Sequence, residues 1–207
     1  MAMLYLGQTL QAEGKYKEAI AAYEDFLATS PKASRIAETG IAGCRIGAKA
    51  KENPTRYVVK NAKLFNSRRA DYSPMFLDKS HDVLYFTTTN EKVTGNHRSE
   101  ITGMKKSDIW WSHKNERGEW MRPEPVEGEL NTEHEEGIMS FSPDGSTMYL
   151  TRARREPNAH TGVEIYTSQR SDAKWSAPVK FDITADTLSN YGHPAVSPDG
   201  EWLYFTS

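Results

Sequence analysis

The segment NTEHEEG, residues 131–137, places one imidazole and three carboxylates around His134. Imidazole and carboxylate groups are common ligands of divalent metal ions. A zinc site of the H-E-x-x-H type needs a second histidine four residues away, and the sequence has none at that spacing. The sequence therefore predicts a solvated loop here, and it predicts no metal ion and no other cofactor.

Catalytic motifs of the common kinds are also missing from the sequence. It contains no G-x-S-x-G, no G-x-G-x-x-G and no G-x-x-x-x-G-K-[ST], so nucleophile-elbow hydrolases, dinucleotide binders and P-loop enzymes have no support. Asp144 and Asp199 each precede a glycine, but neither lies in the spaced run of oxygen ligands that forms a calcium loop. We interpret both as turn residues, and we expect no catalytic residues and no enzymatic activity.

Two groups of arginines are candidate contacts for an acidic partner. Arg68 and Arg69 stand beside Asp71, a pattern typical of solvated surface charges. The second group is balanced by Glu156 and Glu164, which favours a mixed loop rim over a basic binding patch. This second group consists of Arg152, Arg154, Arg155 and Arg170.

Five tryptophans could stack on sugar rings if their faces were exposed. Four of them fall in predicted strands or at matching positions of a repeat, so we predict that they pack in the core: Trp110, Trp120, Trp175 and Trp202. Trp111 follows Trp110 and so lies on the opposite face of its strand. Trp111 is therefore the candidate for glycan stacking.

The composition excludes some classes of partner. The chain has 26 lysines and arginines against 28 aspartates and glutamates, a net charge of −2 that does not favour nucleic acid. Mean hydropathy is −0.71, and no apolar run approaches the roughly 18 to 20 residues that a membrane helix needs, so we expect no membrane span. The single cysteine, Cys44, is predicted to be a small core residue.

Two similar segments that share Ser-Pro-Asp-Gly, FSPDGSTMYLTR from Phe141 and VSPDGEWLYFTS from Val196, predict hairpin turns. In such a turn, proline presets the first corner, aspartate bonds to nearby backbone, and glycine accepts a left-handed conformation. The turn residues are Ser142, Pro143, Asp144, Gly145, Ser197, Pro198, Asp199 and Gly200. A third segment, from Asp71, matches loosely because FLDKSHDVLYF lacks Pro-Asp-Gly and carries two extra residues.

Strands between these hairpins also repeat. Asp108, Ile109 and Trp110 correspond to residues 164–166, and Trp120 and Pro125 correspond in role to Trp175 and Pro178. A unit of four strands that recurs after roughly 55 residues is typical of a β-propeller, with a β-sandwich as the alternative. We predict blades at about 71–128 and 137–182 and a half-blade at 192–207.

The first 53 residues have the apolar spacing of helices. Two helices form a hairpin with its turn at Gly14, and a third runs from Ser34, a plausible N-cap, to about Lys51. The third helix presents a narrow face of small and apolar residues that suits packing on the hairpin: Ala37, Gly40, Ile41, Cys44 and Ala48. Residues 54–70 break this pattern at Pro54 and are predicted to be a linker.

The hairpin resembles one tetratricopeptide repeat, with an ordinary amphipathic hairpin as the alternative. The signature positions are Leu6, Gly7, Leu10, Ala19, Tyr23, Phe26 and Pro31. In such a repeat the small residues let the two helices approach while the aromatic residues fill the space beside them. Repeats of this kind stack on neighbours, so we expect further repeats upstream of the chain.

The two Ser-Pro-Asp-Gly hairpins resemble the WD40-like propeller repeat PD40, found in TolB and related periplasmic proteins. The resemblance implies an α + β multidomain chain in which the helical hairpin and third helix precede an incomplete all-β propeller of about 2.5 four-stranded blades. Propellers close with roughly four to eight blades. We therefore expect further blades downstream.

Helical repeat, linker and PD40 blades together are similar to envelope proteins of the OmpA family, including type IX secretion components. This resemblance implies a non-enzymatic periplasmic scaffold associated with the outer membrane, which binds other envelope proteins and reaches peptidoglycan only through a domain outside the chain. Two alternatives remain open. One is the propeller of a peptidase or glycosidase, and the other is a glycan-binding propeller.

Overall fold

The structure is a computed structural model that describes residues 1–29, 34–99, 102–154, 162–172, 174–183 and 189–207. The chain divides into two compact units, Met1–Lys60 and Asn61–Ser207. The first unit contains three helices and the second contains antiparallel sheets. The order of helices and strands along the chain is the one predicted for an α + β protein.

The helical unit is built from α1 (Ala2–Ala12), α2 (Tyr16–Thr29) and α3 (Ser34–Glu52). Gly14 lies in the turn between α1 and α2 with φ of 73°, a left-handed conformation that glycine adopts without a steric penalty. The N-cap predicted at Ser34 depends on a side chain outside the described ones. In the parts of the chain that the structure describes, no helix is long and apolar enough to cross a bilayer.

Tyr23 is the centre of the helical core. Its ring lies against Gly7 of α1 and Gly40 of α3, where an added Cβ would come within 2.7 Å and 2.5 Å of ring atoms respectively. Its hydroxyl donates a 2.7 Å hydrogen bond to Gln11 Oε1. The two glycines therefore let one aromatic ring fill the space between three helices.

The predicted signature residues fall on different sides of the helices. Gly7, Ala19, Tyr23 and Phe26 are buried and Leu10 is half-buried, but Leu6 is 46% exposed, and Pro31 lies outside the described residues. On α1 the buried line runs through Leu4 and Gly7, one turn apart. Each residue step rotates the helix by about 100°, so Leu6 lies off this line.

The face predicted for α3 is largely buried. Ala37, Ile41 and Cys44 are buried, while Gly40 and Ala48 are half-buried. Burial raises the pKa of the Cys44 thiol, as expected for a packed thiol away from water. Cys44 is thus the core residue that the sequence predicts.

Two glycines of α3 provide a matched test of the packing around Tyr23. Gly→Ala normally stabilises a helix interior by about 1 kcal/mol. At Gly40 the new methyl group would overlap the Tyr23 ring, so we expect Gly40→Ala to lower the free energy of unfolding by about 1–3 kcal/mol. At Gly43 the nearest atom is the end of the Gln11 side chain, so Gly43→Ala should be neutral or stabilising.

Urea unfolding of the full chain, followed by helical circular dichroism, measures both changes. Equal effects of the two substitutions would contradict the packing of Tyr23 against Gly40.

In the described part of the second unit, eleven strands form three antiparallel sheets. The first sheet has the order β1-β2-β3-β4, and the third sheet is the hairpin β10-β11. In the second sheet β5-β6-β7 continue to β8, and β9 also pairs with β7. The strands are β1 (Asp71–Phe76), β2 (Val83–Thr88), β3 (Asp108–His113), β4 (Glu124–Pro125), β5 (Glu135–Phe141), β6 (Thr147–Arg154), β7 (Gly162–Ser171), β8 (Lys174–Trp175), β9 (Val179–Lys180), β10 (Gly192–Val196) and β11 (Leu203–Thr206).

Each Ser-Pro-Asp-Gly segment forms the turn of a hairpin. In the second sheet, Gly145 has φ of 69° and its N–H donates to Ser142 O at 2.8 Å, while Asp144 Oδ1 accepts from Ser146 N at 3.0 Å. Hydrogen bonds to the Asp144 carboxylate lower its pKa to about 2, and the bond from the Ser142 hydroxyl contributes most to this shift. The turn thus uses the aspartate as a local acceptor.

The turn of the third sheet has the same arrangement and lies beside the Ser-Pro-Asp-Gly turn of the second sheet. Gly200 has φ of 79°, its N–H donates to Ser197 O at 2.9 Å, and Asp199 Oδ1 accepts from Glu201 N at 3.1 Å. An added Cβ at Gly200 would come within 3.1 Å of Pro143. The proline of one turn therefore packs against the glycine of the next.

The first hairpin reaches a similar turn with different residues. His81 takes the left-handed position at φ of 57°, and Asp78 Oδ1 accepts from Ser80 N at 2.8 Å. The paired residues Phe76 and Leu84 enclose 77–83, whereas the corresponding pair in the second sheet encloses 142–147. The loop is longer by one residue, so the expectation of two extra residues was wrong.

The outer strands also correct one predicted correspondence. Pro125 pairs with Trp110, and in the second sheet Lys180 pairs with Tyr166. Since Trp110 and Tyr166 are equivalent, Pro125 corresponds to Lys180 and not to Pro178. Pro125 lies in β4, whereas Pro178 directly precedes β9, so the two prolines do not share a position.

One hydrogen bond recurs where neighbouring sheets meet. Ile138 N–H donates to Thr87 Oγ1 at 3.1 Å, and His193 N–H donates to Thr151 Oγ1 at 2.9 Å. Both donors lie in β-bulges with left-handed backbones, φ of 42° and 56°. We call this arrangement of threonine and bulge the sheet joint.

A glycine precedes each bulge donor and allows the close approach. A Cβ at Gly137 would lie 2.6 Å from Thr87 Cγ2, and a Cβ at Gly192 would lie 3.2 Å from Thr151 Cγ2. Real side-chain contacts do not reach the first distance, so the backbone of β5 can lie this close to β2 only with glycine.

Apolar side chains fill the space between the first two sheets. This core comprises Leu77, Tyr85, Ile109, Val126, Leu130, Met139, Phe141, Met148, Leu150, Tyr166 and Trp175, with Val83 and Trp111 packed against it. Trp175 Nε1 donates to Tyr85 Oη at 3.1 Å across the two sheets. The two sheets therefore share a continuous core.

The sheet joint predicts a specific loss of stability. Thr87→Val keeps the shape of the buried Thr87 side chain but removes the acceptor, which leaves the half-buried Ile138 N–H without this partner. We expect the free energy of unfolding to fall by about 1–3 kcal/mol. Thr167→Val is the matched control, because the described residues give the Thr167 hydroxyl no hydrogen bond.

Tryptophan fluorescence during urea unfolding reports both variants. If Thr87→Val were as stable as Thr167→Val, the hydrogen bond to Ile138 would contribute nothing.

Candidate functional site: an aromatic groove on the first sheet

Residues 61–69 lie beside the first sheet and form one side of a groove. Asn66 N–H donates to Ala62 O at 3.0 Å, which closes a turn that carries Phe65. The Phe65 ring meets the rings of Phe86 and Trp120 edge to face, with centroids 6.1 Å and 5.5 Å apart. These contacts hold the segment against the sheet.

The groove has a volume of about 860 Å³, which is within the range of small-molecule and peptide sites. Its apolar lining comes from the turn, from the middle of β2 and β3, and from the outer edge of the sheet. The apolar lining residues are Leu64, Phe65, Phe86, Trp110, Pro123 and Pro125. The site is therefore a cleft with an aromatic and proline-rich wall.

Trp110 is one of the buried residues of this wall. It is 9% exposed and pairs with Phe86 on one side and Pro125 on the other. Its indole Nε1 is buried, and no atom of the described residues accepts a hydrogen bond from it. A buried donor without an acceptor is uncommon and costs about 1–3 kcal/mol.

Four basic side chains and two carboxylates line the groove, an excess of positive charge. Glu91 is already used by Arg69 at 2.5 Å and by Arg98 at 2.9 Å. The hydrogen bond from Arg98 contributes most to lowering the pKa of Glu91, and the bond from Arg69 adds to this shift. The other carboxylate is Glu124.

The remaining basic groups of the groove are Arg68, Lys92 and Arg122, all exposed. Within the described part of the chain, none of the three has a carboxylate within 4 Å. Asp71, which the sequence placed with the arginines, accepts hydrogen bonds from Thr88 Oγ1 and Ser67 N instead. The groove is thus apolar inside and positively charged around its mouth.

The face of the first sheet that carries Phe86 and Trp110 has an equivalent in the second sheet. Its residues Leu150 and Tyr166 pair in the same way as Phe86 and Trp110, and both belong to the core shared with the first sheet. Phe86 and Trp110 do not belong to that core. At the corresponding face of the first sheet, the segment around Phe65 covers part of the surface and the groove remains beside it.

The four tryptophans predicted to pack in the core differ in burial. Trp110 and Trp175 are buried, whereas Trp120 is half-buried between Phe65 and Phe76. Trp202 is 63% exposed, so the prediction that it packs in the core was wrong. It lies in the turn before β11, and among the described residues β11 pairs only with β10.

Trp111, the candidate for glycan stacking, is half-buried at the seam between the first two sheets. Its ring stacks on His113, with centroids 5.2 Å apart, and on Tyr85 at 6.2 Å. A small cavity of about 180 Å³ adjoins it, too small for a sugar chain. The Trp111 ring thus already has aromatic neighbours.

The loop predicted around His134 is not fully solvated. Glu136 is 0% exposed and forms a 2.9 Å ion pair with Arg152, which lies opposite it on β6 and is also buried. The expectation that Arg152 lies on a loop rim was therefore wrong, because strand pairing brings it to Glu136. Arg155, Glu156 and the Arg154 side chain lie outside the described residues.

Further contacts explain why this buried pair is tolerated. Glu136 also accepts from Thr132 N at 2.9 Å and from the Thr132 hydroxyl, and the Arg152 guanidinium lies 4.9 Å from the centre of the Tyr166 ring. Burial nevertheless raises the pKa of Glu136. Among the described residues, no group of three potential ligands could hold a metal ion.

Asp108, at the start of β3, is a buried carboxylate that sequence reasoning did not identify. It is 0% exposed, and Oδ2 accepts from Thr94 N at 2.6 Å, while Oδ1 has no partner among the described residues. Burial raises the pKa of Asp108 to about 6, and the nearby charge of Glu136 adds to the shift. The only sequence signal was an aspartate opening a strand, which is uncommon.

The fold thus defines an α + β protein whose antiparallel sheets stack face to face, with an aromatic groove on its first sheet. Comparison with solved structures finds the crystal structure of TolB from Acinetobacter baumannii, at 22% identity and a TM-score of 0.39. The match covers 70% of this chain and 28% of the TolB chain, so the chain spans less than a third of that protein. No family model and no curated protein matches the sequence.

The raised pKa of Asp108 predicts a pH-dependent effect of Asp108→Asn. A carboxyl whose pKa is higher in the folded state stabilises the fold at low pH, and this contribution is lost as the pH rises through about 6. Asparagine cannot ionise and still accepts from Thr94. We expect the variant to be more stable than the parent at pH 8, and this gain to shrink by about 2 kcal/mol at pH 4.5.

Asp144→Asn is the control with the opposite sign. The pKa of Asp144 is lowered to about 2, so its charged form contributes stability that is lost only as the pH falls toward that value. At pH 8 this variant should be less stable than the parent. Urea unfolding at the two pH values measures both variants, and a pH-independent effect of Asp108→Asn would contradict the assignment.

Proposed function

We propose that this chain is a non-enzymatic interaction module of the cell envelope, which works in the periplasm in association with the outer membrane. Its partners are other envelope proteins. The groove on the first sheet carries this proposal, because an apolar cleft whose surrounding cations have no carboxylate partner among the described residues is complementary to another molecule.

The helical unit offers a second surface. Apolar residues of α1 and α3 remain exposed after the helices pack: Met3, Tyr5, Leu6, Ile36 and Ile46. Exposed apolar side chains of this kind favour association with further helices or with a protein partner. Its resemblance to a tetratricopeptide repeat supports the same role.

The finer assignment rests on the order of elements in the sequence. A tetratricopeptide-like hairpin before PD40-like hairpins is similar to the arrangement in the type IX secretion component PorE, an envelope protein of the OmpA family. We propose a scaffold of this kind, with peptidoglycan bound by a domain outside this chain. The two other candidate functions are the propeller domain of a hydrolase and a glycan-binding propeller.

Site-specific photo-crosslinking in the source cells tests the proposal. A photoreactive phenylalanine analogue replaces Arg122, an exposed residue of the groove, in the natural full-length protein. We expect the protein in the periplasmic or outer-membrane fraction and a discrete adduct with another envelope protein. Arg117, an exposed residue of the β3-β4 loop, is the matched control position and should give no such adduct.

Recovery of the protein in the cytoplasmic fraction would contradict the proposed location. Identical adducts from both positions, or none from either, would contradict an interaction site at the groove.

A further inference from the structure

The small cavity beside Trp111 lies at the seam between the first two sheets, and we call it the seam cavity. Its volume is about 180 Å³. Its lining comes from β2 and β3 of the first sheet, from β8 of the second sheet and from the loop that follows β4. Both of its walls are therefore formed by described parts of the chain, in contrast to the groove.

We propose that the seam cavity binds a small zwitterion in which a quaternary ammonium group is joined to a carboxylate. The observations behind it are three aromatic side chains, one carboxylate and one ammonium group that line the same cavity. This site is separate from the groove, and the inference goes beyond the proposed role as an interaction module.

The aromatic side chains hold the cationic end of the ligand. They are Tyr85, Trp111 and Trp175. Tyr85 and Trp175 are buried, and the 3.1 Å hydrogen bond from Trp175 Nε1 to Tyr85 Oη fixes their rings relative to each other. Aromatic rings attract cations, and cages of such rings recognise quaternary ammonium groups. Because the rings are already held in place, little conformational entropy is lost when the ligand binds.

The polar groups of the lining favour an ammonium without N–H groups. A primary ammonium donates three hydrogen bonds and needs an acceptor for each of them. Among the described residues that line the cavity, Glu127 is the one carboxylate, and the Tyr85 hydroxyl already accepts from Trp175. A quaternary ammonium donates no hydrogen bond, so aromatic rings and a single carboxylate are sufficient to bind it.

Glu127 and Lys174 determine that the ligand carries both signs of charge. Both residues line the cavity and are exposed. They form no ion pair with each other, and neither has an ion pair or a side-chain hydrogen bond with another described residue. A zwitterion places its ammonium beside Glu127 and its carboxylate beside Lys174, whereas a ligand of one sign leaves one of these charges without a partner.

The volume of the cavity restricts the ligand to a compact molecule. An apolar cavity of about 150 Å³ in a protein can hold benzene. The seam cavity, at about 180 Å³, is therefore large enough for a trimethylammonium group with a short carboxylate tail. It lies below the range of drug-sized ligands, which excludes longer chains.

Titration of the full chain with glycine betaine tests the inference. One control ligand is tert-butylacetic acid in its ionised form, which has the same shape but a neutral carbon in place of the ammonium nitrogen. The other is choline, which keeps the trimethylammonium group but has a hydroxyl in place of the carboxylate. Nuclear magnetic resonance of protein labelled with ¹⁵N-tryptophan follows the indole signals, and calorimetry gives the affinity. We expect saturable binding of glycine betaine that shifts the Trp111 and Trp175 signals, and at least tenfold weaker binding of each control.

Matched variants assign the binding to the seam cavity. Glu127→Gln and Lys174→Gln each remove one charge from the lining, so each should weaken binding about fivefold. Glu129→Gln and Lys79→Gln make the same changes at residues outside the lining and should leave the affinity unchanged. All four residues are exposed, so none of these substitutions is expected to unfold the chain.

Three results would overturn the inference. They are no saturable binding of glycine betaine, binding of either control ligand as tight as that of glycine betaine, and binding that leaves the Trp111 and Trp175 signals or the affinities of both lining variants unchanged. The photo-crosslinking experiment at Arg122 tests the proposed function at the groove, and its outcome does not depend on the seam cavity.

Discussion

The stacking of the sheets depends on a backbone N–H that reaches a threonine of the preceding sheet. Ile138 donates to Thr87, and His193 donates to Thr151, from bulges whose left-handed backbones are unusual for residues other than glycine. Such a conformation costs about 1–3 kcal/mol, and the hydrogen bond and packing of the joint offset it. The preceding glycines make the approach possible, so sequence, local backbone and sheet packing are linked at one point.

Because the sheet joint repeats, successive sheets stack in the same orientation and have equivalent faces. The groove lies on one of these faces of the first sheet. In the second sheet, the face that carries Leu150 and Tyr166 is buried by the first sheet. In the first sheet, among the described residues, the face that carries Phe86 and Trp110 has the turn around Phe65 beside it and no second sheet. A surface built for close packing is thereby left as a cleft, with an indole donor that the described residues do not satisfy.

Local chemistry made much of this fold predictable. The Ser-Pro-Asp-Gly turns depend on four adjacent residues, and the repeat of about 55 residues gave the hairpins and their order. The buried pair Glu136–Arg152 and the carboxylate of Asp108 were missed, because their environments depend on strand register and on loops distant in sequence. The groove was missed for the same reason, since Phe65 lies in a segment predicted to be a linker. The exposure of Trp202 shows that a strand-like pattern does not determine which face is covered.

Native-state hydrogen exchange tests the sheet joint most directly. The amides of Ile138 and His193 lie in bulges outside the regular strand ladders, so the threonine hydroxyls are their acceptors. We expect both amides to exchange slowly, with protection comparable to that of central strand residues such as Leu150. Exchange of both amides as fast as in exposed loops, while the strands stay protected, would contradict the claim that these hydrogen bonds join the sheets.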